Sequence, residues 1–227
     1  MTTPSERIQG LVQRGALPAE DAKALLAAVG APRRARGAAL LLDPLECLGA
    51  APLTLIGLGA ALLGVGLERS GLAFDGFLDL HITQQPWRWT TSLGHALAAW
   101  PLGALVLWLA SLLAGRQGRL VDFLGLVGIA RLPSVLLAIP SALILGAAGL
   151  MPGRMPAQLP SLLVITALAL AGVAWLLVIA YRGFGTASGL RGAKRVVAFV
   201  AGVLIAEVAS KLVFVWLVRL AALSGAV

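Results

Sequence analysis

Glu207 and Lys211 stand four residues apart in an apolar run long enough to cross a bilayer, and Arg131 stands inside another such run. An ionisable side chain at the bilayer centre costs roughly 2.5–3.5 kcal/mol on insertion scales, so each must be paired, hydrated or turned toward a bundle interior. An acid four residues ahead of a base is the favoured order for an ion pair on one helix face. Counted from run ends near Val121 and Val196, Arg131 and Glu207 share a depth of about 15–17 Å at 1.5 Å per residue. An Arg131–Glu207–Lys211 network is therefore expected, either as a structural lock between two helices or as a path for a proton, an ion or a lipid headgroup. His95 falls near the depth estimated for Lys211 and joins the network as a group that titrates or hydrogen-bonds.

Other chemistry has weaker support. Asp75 and Asp79 lie four apart, with His81 close by, a faint pattern for cation ligands, and no metal is assigned on it. The His-Glu-x-x-His, Gly-x-Ser-x-Gly and Walker patterns are all missing from the sequence, so no nucleophile with its base and no phosphate cradle is indicated. No catalytic residue and no cofactor are assigned, and the chain is read as non-enzymatic. A single cysteine, Cys47, leaves no internal disulfide and is expected to serve as a small buried hydrophobe.

The elements that must position these charges are membrane helices. The chain is 59% hydrophobic and 12% charged with a mean hydropathy of +0.92, values that exclude an ordinary soluble domain. Its net charge of +8 resides in short loops between apolar runs, which fits lipid headgroups, anionic ones above all, and argues against nucleic acid. Five spans are expected: about 48–67, 93–114, 121–150, 160–181 and 196 to the end. Thr90, Thr91 and Ser92 suit the start of the second, and Pro101 is a site for a kink in it. Pro133 and Pro140 are break points in the third, which exceeds the length of one straight crossing. Residues 68–85 are too polar for a sixth span and read as an external loop or interfacial helix.

Loop charges orient the bundle. Arg33, Arg34, Arg36, Arg116, Arg119, Arg182, Arg191, Lys194 and Arg195 fall on one side, against Arg69, Arg88 and Arg154 on the other. The positive-inside rule then makes the amino terminus cytoplasmic and the carboxyl terminus external, with Trp87 and Trp89 at the outer headgroup level. The expected class is an all-α polytopic integral membrane protein. The preference for Arg over Lys and the wealth of Ala and Gly suit a bacterial chain, and hence the cytoplasmic (inner) membrane.

Residues 1–30 read as a cytoplasmic helical hairpin. Ile8, Leu11 and Val12 share one side of a first helix that Gly15 closes, and Pro18 with Glu20 and Asp21 opens a second bearing Ala22, Leu25, Leu26 and Val29. Two such short helices bury too little surface to stand alone, so a partner, another protomer or the bilayer is expected to cover them. A basic linker, 31–43, leads to the membrane domain, 44–227. In the last span Ala198, Gly202, Ala206 and Ser210 form a strip of small residues for close packing within the bundle, with a homo-oligomer seam as the alternative. Gly57 with Ala61, and Ala60 with Gly64, repeat the pattern in the first span.

Asp43-Pro44 ahead of the first of five spans, Gly128-Ile129-Ala130-Arg131-Leu132-Pro133 in the third, and the loop Asp75-Gly76-Phe77-Leu78-Asp79-Leu80-His81 together resemble the bacterial branch of the Yip (Ypt-interacting protein) membrane-domain family over about residues 40–225. Eukaryotic members often carry an aromatic residue at the position of Ile129, and their Asp-Leu-Tyr-Gly-Pro motif has no counterpart here, which removes support for a Rab-type GTPase partner. The resemblance implies a non-enzymatic adaptor or accessory protein that helps assemble or traffic other membrane components, an ABC-type exporter among them. A small transporter or lipid-handling protein built on the charged cluster is the alternative.

Overall fold

Glycine and proline punctuate a chain that is otherwise helical. The computed structural model describes residues 4–30, 37–70, 72–74, 77–78, 81–82, 88–116, 118–148 and 155–223, which divide between two units, Met1–Arg36 and Gly37–Val227.

The first unit is a helical hairpin of α1 (Pro4–Gln13) and α2 (Ala19–Gly30). Gly15 takes φ +67° and ends α1 with paired bonds, Gly15 N–H to Val12 C=O at 2.9 Å and Ala16 N–H to Leu11 C=O at 2.9 Å. This is the left-handed stop that glycine adopts without steric penalty. Glu20 and Asp21 occupy the first turn of α2, where the helix dipole favours negative charge. Ala22 is buried between the two helices.

The second unit contains α3 (Gly37–Leu42), α4 (Pro44–Leu48), α5 (Ala50–Glu68), β1 (Leu72–Ala73), β2 (His81–Ile82), α6 (Trp89–Leu113), α7 (Leu120–Ala130), α8 (Leu132–Ala148), α9 (Met155–Ser188) and α10 (Gly192–Leu223). Five segments are long and apolar enough to cross a membrane: α5, α6, α7 with α8, α9 and α10. Residues 37–42 belong to this unit as α3. Asp43 caps α4, accepting the Glu46 N–H, while Pro44 supplies the preset φ of a first helical turn. Cys47 is only half-buried in α4, unlike the buried role expected for it. The helix of the second span begins at Trp89, so Thr90, Thr91 and Ser92 fill its first turn and do not cap it.

Small residues let the backbones close on one another. A Cβ on Gly57 of α5 would collide with the Gly128 backbone of α7, and one on Gly125 would stand 2.8 Å from the Ala50 carbonyl. The Gly128 that marks the family resemblance is therefore also a packing residue. Trp100 of α6 donates its indole N–H to the Leu124 carbonyl at 2.9 Å, tying α6 to the same contact. Ala198, Gly202, Ala206 and Ser210 are buried, and a Cβ on Gly202 would stand 2.8 Å from Leu107 of α6. The strip is thus a seam inside one chain.

Where it is described, the segment after α5 forms a short strand pair and not an interfacial helix. β1 and β2 pair antiparallel, Leu72 opposite Ile82 and Ala73 opposite His81. Leu72, Ala73 and Phe77 are buried, with Phe77 seated against Gly103 of α6. The hairpin therefore enters the end of the bundle as a plug.

Candidate functional site

The third span breaks at Arg131. Pro133 has no N–H to offer the Ile129 carbonyl, so the i→i−4 ladder lapses there. α7 stops at Ala130, α8 starts at Leu132, and Arg131 forms the turn between them; Val135 N–H to Arg131 C=O at 3.1 Å opens the new ladder. Interrupted backbone at membrane depth persists only where protein or a polar cavity receives its freed groups. Pro140, the second expected break point, stays inside α8.

Such a cavity adjoins the break. It measures about 40 Å³ and its polar wall consists of Glu68, Ser92, His95, Arg131 and Ser134, with Phe74, Phe77 and Leu78 of the hairpin segment beside them. Three buried polar atoms of this wall, Ser92 Oγ, His95 Nε2 and Ser134 Oγ, make no hydrogen bond among the described residues. A polar space of this size accommodates a water-sized group or two, and three convergent partners are what a buried water needs. His95 stacks edge-on against Phe214 of α10 at 5.0 Å and faces the main chain of Ser210 and Phe74. Ser92 and His95 are three residues apart on α6 but share no hydrogen bond, so they lack the geometry of a nucleophile and its base.

Glu207 holds the adjoining position on α10. Its Oε1 lies 3.4 Å from Lys211 Nζ, its Oε2 accepts the Leu78 N–H at 2.9 Å, and its charge is in electrostatic reach of Arg131. Arg131, Glu207, Lys211 and His95 thus occupy one neighbourhood, as their sequence depths suggest. They do not share one wall: Arg131 and His95 line the cavity, whereas Lys211, with its side chain 46% exposed, sits on the flank.

Three participants escaped the sequence reading. Glu68 ends an apolar run and reads as the start of a loop, yet it is 7% exposed in the cavity wall. Ser92 resembles a helix start, and Ser134 is an ordinary residue of a membrane helix. The Leu78 N–H is a backbone group that no sequence pattern marks. At the hairpin's flank Arg69 lies over the Trp89 ring, 4.4 Å from its centroid, which gives that tryptophan a partner beyond the headgroups.

Among the described residues no three His, Cys, Asp or Glu side chains converge as metal ligands. Asp75 and Asp79 lie outside the described residues, as do Arg33, Arg34, Arg36, Trp87 and Arg154. No protein-family model, curated protein or solved structure matches the chain.

Proposed function

We propose that this chain is a non-enzymatic membrane adaptor, a five-span scaffold that engages another membrane component through its amino-terminal hairpin and assists that component's assembly or trafficking. The observation that carries this reading is the hairpin itself: a compact two-helix unit in its own right, with Leu11 39% and Leu25 45% exposed. Two short helices cannot cover such residues themselves, and a docking face is an economical reason to keep them. The engagement of Glu207 by Lys211, Leu78 and Arg131 supports a structural lock in the bundle. The basic loops support a cytoplasmic hairpin and an external carboxyl terminus, and the wealth of Arg, Ala and Gly supports a bacterial inner membrane. The resemblance to Yip membrane domains supports the same role and makes an ABC-type exporter one candidate partner.

The test is in the full-length chain. Leu11→Asp with Leu25→Asp should abolish crosslinked partners in a pull-down from native membranes while the melting temperature of the bundle is unchanged. Undiminished crosslinks would refute the assignment.

A second reading, a small transporter or lipid-handling protein, draws support from the three polar atoms around the cavity at the broken helix that make no hydrogen bond among the described residues. It requires that Arg131→Ala abolish flux or lipid movement in proteoliposomes.

A further inference from the structure

Asp43, Tyr181, Arg182, Thr186, Arg191 and Arg195 converge where α9 gives way to α10, around an open pocket of about 560 Å³. That size is within the roughly 300–1,000 Å³ range of small-molecule sites. The carboxylate in this wall is already occupied: Asp43 Oδ2 accepts from Thr186 Oγ1 at 2.6 Å and Oδ1 from the Glu46 N–H at 3.4 Å. Asp43 therefore ties the start of α4 to α9, and its single negative charge stands against three guanidinium groups in this wall.

The arginines are arranged differently. Arg195 is fixed, its Nη2 donating to the Tyr181 carbonyl at 2.5 Å and the Arg182 carbonyl at 3.4 Å while its guanidinium lies 3.9 Å over the Tyr181 ring. Gly185 leaves room for it, since a Cβ there would strike Arg195 Cζ. Arg195 Nε is buried and makes no hydrogen bond among the described residues. Arg182 and Arg191 are exposed, and among the described residues neither side chain has an ion pair or hydrogen bond.

This is an anion site with an excess of guanidinium, whose planar forks match phosphate oxygens. It is also at the right depth. Arg182 and Thr186 lie in the last turns of the fourth candidate span, Arg191 just before the fifth and Arg195 in its first turn, and the ends of spans are where lipid headgroups are met. We propose that this pocket binds a phosphate group, supplied by the headgroup of an anionic phospholipid or by a free phosphate compound. The proposal is independent of the hairpin's docking role.

The test uses the full chain in mild detergent, with bound phosphatidylglycerol and phosphatidylcholine measured by native mass spectrometry. Phosphatidylglycerol should be retained preferentially. Arg182→Gln with Arg191→Gln should weaken its retention about thirtyfold, from roughly fivefold per basic residue at a charged lipid surface. Both side chains are exposed, so the melting temperature should not change. Arg116→Gln, on the same face outside the pocket, should leave retention intact. Wild-type retention by the double variant, or an equal loss in Arg116→Gln, overturns the proposal. Competition by inorganic phosphate assigns the site to free phosphate compounds, and indifference to it, with lipid preference kept, assigns it to the headgroup.

Discussion

The middle of the membrane bundle and one of its ends treat charge in opposite ways. Midway along α10 Glu207 is met by an ammonium, a main-chain N–H and the field of Arg131, and the neighbouring polar atoms face a small cavity. At the end where α9 gives way to α10, Asp43 caps α4 and accepts a threonine bond, while Arg182 and Arg191 make no ion pair among the described residues. Depth explains the contrast. Far from water, an unmatched charge costs several kcal/mol and must be answered inside the protein, whereas at the headgroup level water and lipid phosphates answer it. Arginine therefore shapes the fold at Arg131 and is left available for ligand at Arg182 and Arg191.

The sharpest way to break this comparison is Glu207→Gln. Removing one member of a buried ionic set typically costs roughly 3–5 kcal/mol, while replacing the whole set by apolar residues can be nearly neutral. Thermal unfolding in detergent should show Glu207→Gln well below wild type, and Arg131→Met with Glu207→Gln and Lys211→Met close to it. A melting temperature unchanged by Glu207→Gln would sink the structural lock.

Next in size is the α5–α7 crossing that carries the broken helix. Gly128→Leu should destabilise by about 1–3 kcal/mol, as overpacking does, because the Gly57 backbone stands 2.7 Å from the site of the new Cβ and cannot rotate away. Gly59→Leu on α5 meets nothing within 4 Å and should melt like wild type. Equal behaviour of the two variants would mean that the crossing does not depend on glycine.

A smaller loss is expected at the arginine-rich end. Asp43→Ala removes a helix cap and the Thr186 bond together, for about 1–2 kcal/mol. Thr186→Val removes only the second and should account for part of the change in the same unfolding assay.

The smallest effect belongs to the exposed Arg119–Asp122 pair, 2.8 Å apart with the Arg119 side chain 77% exposed. Hydrogen bonding and attraction from Asp122 raise the Arg119 pKa. A raised base contributes stability below its unfolded pKa and loses it only as pH rises through the folded one, far above neutrality. Asp122→Asn should therefore shift stability by under about 0.5 kcal/mol and introduce no pH dependence between pH 6 and 8, measured by parallel melts in buffers of different pH.

Much of this architecture is legible in the chain because membrane helices are written in local terms. Length and hydropathy alone mark five crossings, Gly15 and Pro18 mark the hairpin turn, and the four-residue rhythm of Ala198, Gly202, Ala206 and Ser210 marks a packing seam. The depths of Arg131 and Glu207 follow from counting residues at a fixed rise. What counting cannot supply is azimuth and partner. That the seam faces α6, that Lys211 turns to the flank while His95 turns to the cavity, and that Leu78 reaches Glu207 from 129 residues away all depend on how helices rotate against one another. Glu68 and the Asp43–Thr186 link were hidden for the same reason: each is an ordinary residue at a helix end until tertiary packing brings a distant helix beside it.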